Sequence, residues 1–351
     1  MEIYDLLSYM DEVNASDLHL SPNSPPIYRI DGELIKTKQP PLLPDDVHLL
    51  IFDIMNEEHR KRYEETLEID FSAEFLGIGR FRVNVFRSYF GEAVVFRKIT
   101  DYTYSFEELG LPQVLKKLSL QDQGLIIITG PTGSGKTTTL NTVINFINER
   151  VQKHIITIED PVEYVHKSKR SLVTHREVGL NTHSFANALR SALREDPDII
   201  VVGEMRDMET TSLAISAAET GHLVFGTLHT MDAPHTIDRI IDQFPPIQQN
   251  QIRLMVSESI IGVITQRLLK RKTGGRVAAF EILVGIPAVA NLIREGKTFQ
   301  LPSVIQTHGK IGMIGMEQSI KQLYEQESIT KEEMFRVEKE SDRLIDSLSG
   351  D

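Results

Sequence analysis

In the first hundred residues the apolar positions fall into short runs with a period of two. Residues 80–85 (RFRVNV) place Phe81, Val83 and Val85 on one face and Arg80, Arg82 and Asn84 on the other. Residues 69–73 alternate in the same way, and Gly77-Ile78-Gly79 separates the two runs. A further strand is predicted at 93–99, with extended runs at 17–20 and 27–30, the second followed by an Asp31-Gly32 turn signal. A leading helix and a helical stretch from 44 to about 67 complete a small α+β domain over residues 1–100. The segment 101–123 is polar and turn-rich and reads as a linker.

From Gly124 the pattern changes. β-branched runs at 125–129, 155–158, 198–202 and 223–227 alternate with helical stretches. This is the pattern of an α/β domain with a mostly parallel sheet and crossover helices, assigned to 124–351. Beyond about residue 245 the chain reads as helical, apart from one strand at 276–283.

Bulk properties narrow the picture. At 351 residues the chain is too long for one ordinary core. No apolar run approaches the roughly 18 to 20 residues that cross a bilayer. The start, Met1-Glu2-Ile3-Tyr4-Asp5, lacks the basic and apolar regions of a secretory signal. The absence of cysteine excludes disulfides and thiolate chemistry and fits a reducing cytoplasm. A net charge of −12 speaks against a nucleic-acid-coating protein, because phosphate binding relies on excess Lys and Arg.

The strongest chemical signal is Gly130-Pro131-Thr132-Gly133-Ser134-Gly135-Lys136-Thr137, set between a predicted strand and a predicted helix. Glycines at this spacing let backbone N–H groups turn inward around phosphates. Lys136 is then placed for the β- and γ-phosphates, and the Thr137 hydroxyl is placed to ligate Mg²⁺. Thr138, the next residue, is grouped with the nucleotide-binding residues. The expected ligands are therefore ATP and Mg²⁺.

In open parallel sheets ligands collect at the carboxyl ends of the strands. The run 199–202 leads into Gly203-Glu204, 155–158 into Glu159-Asp160, and 223–227 into Leu228-His229. Nucleotide hydrolysis needs one acidic group for hydrated Mg²⁺ and another to orient or deprotonate water. Glu204 is the catalytic candidate, and Glu159 and Asp160 are candidates for metal-water and nucleotide contacts. The plainer alternative is that these carboxylates cap helices, or that Glu204 pairs with Arg206. A strand of seven residues between His222 and His229 spans roughly 23 Å, too far for one metal ion. His229 is placed to sense a γ-phosphate, and His222 belongs at the opposite end or at an interface. Arg80, Arg82 and Arg97 form either a solvated face or a set that reaches a phosphate held by another subunit.

Taken together these motifs resemble the type II/IV secretion ATPase superfamily, and within it the type IV pilus retraction ATPase (PilT) family, over nearly the whole chain. Ser16-Asp17-Leu18-His19-Leu20 resembles its N-terminal signature. Ile158-Glu159-Asp160-Pro161-Val162-Glu163-Tyr164 resembles its aspartate box, and 193–207 its Walker B region. The stretch from Thr220-Gly221-His222 to His229-Thr230 resembles its histidine box. Residues 288–295 (AVANLIRE) are similar to the family's AIRNLIRE motif, with Val289 and Ala290 replacing Ile and Arg; Met231 and Pro234 also depart from the pattern.

The resemblance implies a RecA-like P-loop ATPase domain, a smaller PAS-like N-terminal α+β domain and a helical C-terminal tail. It also implies a homohexameric motor that retracts and depolymerises the pilus in twitching motility. The ring would lie at the cytoplasmic side of the inner membrane, held there by a pilus platform protein, with no direct nucleic-acid partner. Glu163 becomes a further catalytic candidate, and Arg80, Arg82 and Arg97 gain a role in trans. Alternatives are a related secretion or accessory pilus ATPase, a nucleic-acid translocase, or a non-motor nucleotide switch.

Overall fold

A computed structural model describes residues 2–30, 32–99 and 103–336. Asp31 of the turn signal, the start of the predicted linker and the end of the predicted tail lie outside the described residues. The chain forms two compact units, Met1–Tyr102 with Pro161–Val165, and Thr103–Asp160 with His166–Asp351.

The first unit contains α1 (Ile3–Glu12), β1 (Asp17–Leu20), β2 (Ile27–Ile30), β3 (Glu33–Lys36), α2 (Pro44–Ile54), α3 (Glu57–Thr66), β4 (Glu68–Phe75), β5 (Gly79–Ser88) and β6 (Gly91–Ile99). Its antiparallel sheet has the order β3-β2-β1-β6-β5-β4. The period-two face of β5 is buried as its pattern predicts, and Phe81, Val83 and Val85 join Leu7, Met10, Val47 and Ile51 from the helices in one core. Two details differ from the sequence reading. The stretch from 44 to 67 is two helices, because Met55 is extended and the Asn56 side chain accepts from the His59 N–H to start α3. The strand β3 was not anticipated. All four of its residues are exposed on the sheet edge, so nothing imposes an alternating pattern on them.

The second unit contains α4 (Gln113–Leu118), β7 (Gly124–Thr129), α5 (Lys136–Arg150), β8 (His154–Glu159), β9 (Leu172–Glu177), α6 (Phe185–Ala192), β10 (Ile199–Val202), α7 (Met208–Glu219), β11 (Leu223–Thr227), α8 (Ala233–Asp242), α9 (Pro246–Ser259), β12 (Ile260–Lys270), β13 (Arg276–Val284), α10 (Pro287–Arg294), α11 (Leu301–Thr307) and α12 (Met316–Glu325). The strand order is β13-β12-β7-β11-β10-β8-β9, parallel throughout except for β13. The strands β7, β10 and β11 are buried at every position, which is why they read as unbroken apolar runs.

Three expectations need correction here. The segment 103–123 is not a free linker: Phe106, Leu111, Val114, Leu115 and Leu118 pack into the second core with Ile126, Ile128 and Leu140. Their polar neighbours hid the apolar face of a short helix. The run 260–270 is a strand rather than helix, since it follows α9 without a break and only its pairing with β7 and β13 distinguishes the two. The strand β9 went unrecognised because its sequence, LVTHRE, is largely polar.

Phe75, Phe81 and Phe96 meet edge-to-face at the centre of the first core, with centroids 5.7 to 6.5 Å apart. Phe96→Ala is expected to destabilise this unit by roughly 3–5 kcal/mol, read as a lowered urea midpoint in an unfolding transition followed by near-ultraviolet circular dichroism.

Candidate nucleotide site

Because β7, β11, β10 and β8 are adjacent and parallel, their carboxyl ends line one edge of the sheet. From β7 the chain enters the Gly130–Gly135 loop and then α5. Gly130, Gly133 and Gly135 have φ of +141°, +77° and +87°. A Cβ at Gly130 would lie 2.3 Å from Gln266 O, and one at Gly135 would lie 2.9 Å from Gln266 Nε2. Two of these glycines are therefore required both by backbone conformation and by close approach to β12.

Gln266 was not singled out in the sequence. Its buried amide Nε2–H donates to Ser134 O at 2.8 Å, and its Oε1 accepts from Thr139 Oγ1–H at 2.7 Å. One side chain thus pins the loop to β12 and to the first turns of α5. The available signal was a lone amide in the apolar run 260–269, which means little until the run is known to be a central strand.

Lys136 is only 9% exposed. Its ammonium donates to Gly130 O at 2.8 Å and Pro131 O at 3.1 Å, and lies 3.4 Å from His229 Nδ1. Burial pushes its pKa down, opposed by the field of Glu204. Ser134 Oγ is buried in the same loop with no hydrogen-bond partner among the described residues. A buried cation held by backbone carbonyls, beside an unsatisfied hydroxyl, fits an anionic ligand. Thr132 and Thr138 are exposed, and Pro131 and Thr137 are half-buried. The Thr137 hydroxyl and the carboxylates on the neighbouring strand ends are hard oxygen donors of the kind Mg²⁺ takes.

His229 lies between the lysine and the acid. Its Nδ1 faces the Lys136 ammonium and so accepts, leaving Nε2–H to donate to Glu204 Oε1 at 3.2 Å. Arg206 reaches Glu204 Oε2 at 2.6 Å, so the ion pair weighed from sequence is present in addition to the histidine contact. Burial pushes the Glu204 carboxyl up, but Arg206, His229 and Lys136 together hold it below the ordinary value. Behind the site, Thr227 Oγ1–H donates to Gly203 O, and Thr129, Thr230 and Thr236 join their hydroxyls across the ends of β7 and α8. His222 sits at the other end of β11, its Nδ1 3.0 Å from Ala217 O.

The remaining candidates are more dispersed. Glu159 Oε1 is 3.6 Å from His175 Nδ1, and Asp160 is exposed. Glu163 is exposed and belongs to the stretch 161–165 that groups with the first unit. Within the first unit, Arg82 makes a two-pronged pair with Asp70, and Arg97 Nε meets the buried Asp17 at 2.8 Å. Among the described residues Arg80 Nη2 donates only to the neutral Ser72 Oγ, at 3.2 Å, and its buried Nε has no hydrogen-bond partner.

The family model described as "Type II/IV secretion system protein" matches residues 3–337. The chain is 52% identical over 332 residues to the "Type IV pilus retractation ATPase PilT" of Pseudomonas aeruginosa, covering 95% of this chain and 96% of that protein. It is 50% identical over 320 residues to the "Twitching motility protein" of Neisseria gonorrhoeae, covering 91% and 86% respectively. A solved structure, "Crystal Structure of the Pilus Retraction Motor PilT and Bound ADP", superposes with a TM-score of 0.90 at 48% identity, covering 96% of each chain.

Two outcomes follow from this geometry. Gln266→Leu removes both amide bonds while keeping the side chain's bulk, and is expected to weaken ATP binding by about tenfold or more, measured by titration calorimetry. Glu281, on β13, accepts from the Ala233 N–H at 2.7 Å and so braces the start of α8 just beyond His229. Burial, with Asp232 adding to it, pushes its carboxyl up to about 7. A raised folded pKa means that the native state holds a proton the unfolded state has lost. The associated stability is fully present below pH 4.5 and is lost as pH rises through about 7. Glu281→Gln, which stays neutral, should match the wild type near pH 4.5 and exceed it by about 3 kcal/mol at pH 8, read from denaturant melts at the two pH values.

Proposed function

The chain belongs to the type II/IV secretion system protein family and, within it, to the type IV pilus retraction ATPases, and from that premise we propose that it hydrolyses Mg-ATP to withdraw pilin subunits from a pilus fibre. The observation that carries this reading is the buried Lys136 ammonium in a glycine cradle, linked through His229 to Glu204. In this reading Lys136 and the loop N–H groups hold the β- and γ-phosphates, and His229 reports phosphate occupancy to Glu204. The Thr137 hydroxyl would hold Mg²⁺, which when bound would supply neutralisation of phosphate charge.

The two acidic candidates divide the work. Glu204 is tied to Arg206 and held below the ordinary carboxylate value, which makes it a poor proton acceptor and a good orienting group for water. Glu163 is exposed and makes no ion pair among the described residues, so it is the better base. Glu159 and Asp160 serve the metal's water shell. Of the three arginines, Arg80 is the one without a carboxylate partner among the described residues, which favours it over Arg82 and Arg97 for reaching a neighbour's nucleotide.

The assembly proposed is a homohexameric ring at the cytoplasmic side of the inner membrane, docked on a pilus platform protein. Among the described residues no helix is long and apolar enough to cross a membrane, so membrane association through a protein partner suits the chain. The test is Mg-ATP hydrolysis per chain as a function of protein concentration. The expected curve climbs steeply with assembly and then plateaus. A constant rate across a range in which the chain is monomeric would remove the trans arginine and the ring while leaving the ATPase.

A further inference from the structure

Outside the phosphate loop, a connected group of titratable side chains surrounds His175 on β9. The chain leaves the second unit after Asp160 and returns to it at His166, and the excursion between carries Glu163. On the outgoing side, His175 Nδ1 is 2.8 Å from Thr157 Oγ1 and 3.6 Å from Glu159 Oε1. On the returning side, the His166 main-chain N–H donates to His175 Nε2 at 2.9 Å. A nitrogen that accepts carries no proton, so the neutral ring bears its hydrogen on Nδ1, toward Thr157 and Glu159. The same Nε2 lies 3.4 Å from His166 O, a longer contact that an accepting nitrogen does not use.

His166 extends the arrangement. Its imidazole stacks on that of His175, with centroids 5.8 Å apart and planes 11° from parallel. Its Nε2 lies 3.3 Å from Asn141 Oδ1 on α5, the helix that begins at Lys136. His166 is buried, and that burial, with His175 and Lys169 nearby, pushes its pKa down to about 3, so the two stacked rings do not repel as cations. One ring thus touches both stems of the excursion, and its stacking partner ties the returning stem to the phosphate-loop helix.

We propose that His175 is a positioning residue for the 160–165 excursion: its two ring nitrogens clasp the outgoing and returning stems and so set where Glu163 is presented for water activation. This rests on the reading of Glu163 as the catalytic base. A side chain that merely fills space between β8 and β9 would be replaceable by any ring of similar volume. The clasp requires a donor on one side and an acceptor on the other, which glutamine also supplies.

The test compares full-length wild type, His175→Phe and His175→Gln in two measurements. Hydrogen exchange over peptides spanning 159–166 reads the clasp directly. ATP hydrolysis, with kcat and KM determined separately, reads its consequence. Phe should raise exchange across the segment by about tenfold and lower kcat by a similar factor, with KM moving less than about threefold. Gln should restore both toward wild type.

Unaltered exchange in a folded His175→Phe protein overturns the clasp. A Gln variant that behaves like Phe, or a loss confined to KM, overturns the positioning role. Should the Phe variant fail to fold, His175→Asn, which is too short to reach both stems, takes its place with the same expectations. Should the wild-type chain hydrolyse no ATP, the function proposed above falls, and the exchange arm alone decides whether the clasp exists.

Discussion

The arrangement of this protein depends on burying one cation. An ammonium removed from water is costly unless charge or hydrogen bonds replace its hydration, and Lys136 is nearly enclosed with two backbone carbonyls and a histidine nitrogen about it. The Glu204–Arg206 ion pair, at the end of β10 two strands away from β7, is linked to the lysine through His229. A site left short of negative charge in this way favours an incoming polyphosphate, which completes what the fold leaves incomplete. The surrounding structure can be understood as the support that keeps the lysine there.

That support is layered. Parallel alignment brings the ends of β7, β11, β10 and β8 to one edge, so that residues separated by nearly a hundred positions become neighbours. Gln266 then fixes the loop from the β12 side, and its peptide crowds Gly130 so closely that no side chain is admitted there. Threonine hydroxyls join the strand ends behind the loop, and Glu281 braces the helix that follows the histidine box at the expense of burying a carboxyl. These polar groups are satisfied partly by backbone atoms and partly by one another, so the loop and the strand ends are tied together by the protein's own hydrogen bonds.

The three arginines of the first unit show how a shared pattern conceals different circumstances. In sequence Arg80 and Arg82 occupy equivalent positions on one face of a strand, and Arg97 belongs to the next strand. Among the described residues Arg82 and Arg97 have carboxylate partners, whereas Arg80 meets only a hydroxyl. Asp70 and Asp17, which make that difference, lie 12 and 80 positions away along the chain. No local pattern could have separated the three.

What the sequence by itself determined was the part of the protein governed by local rules. The glycine spacing predicted the tight turn between β7 and α5, because the positive φ angles of Gly130, Gly133 and Gly135 favour residues without a Cβ. The alternation in β5 and the solid apolar runs of β7, β10 and β11 predicted their strands, because burial on one face or on both leaves a periodic record. What only the tertiary structure decided was everything set by non-local pairing. The strand β12 has an apolar run that suits a helix equally well, β3 and β9 lie at edges where burial writes no pattern, and 103–123 hides its core residues among polar ones. The roles of Gln266, Glu281 and His175 belong to the same class. Each is a polar residue whose meaning comes from partners brought to it by the sheet order, and sheet order is fixed by packing across the whole unit rather than by neighbouring residues.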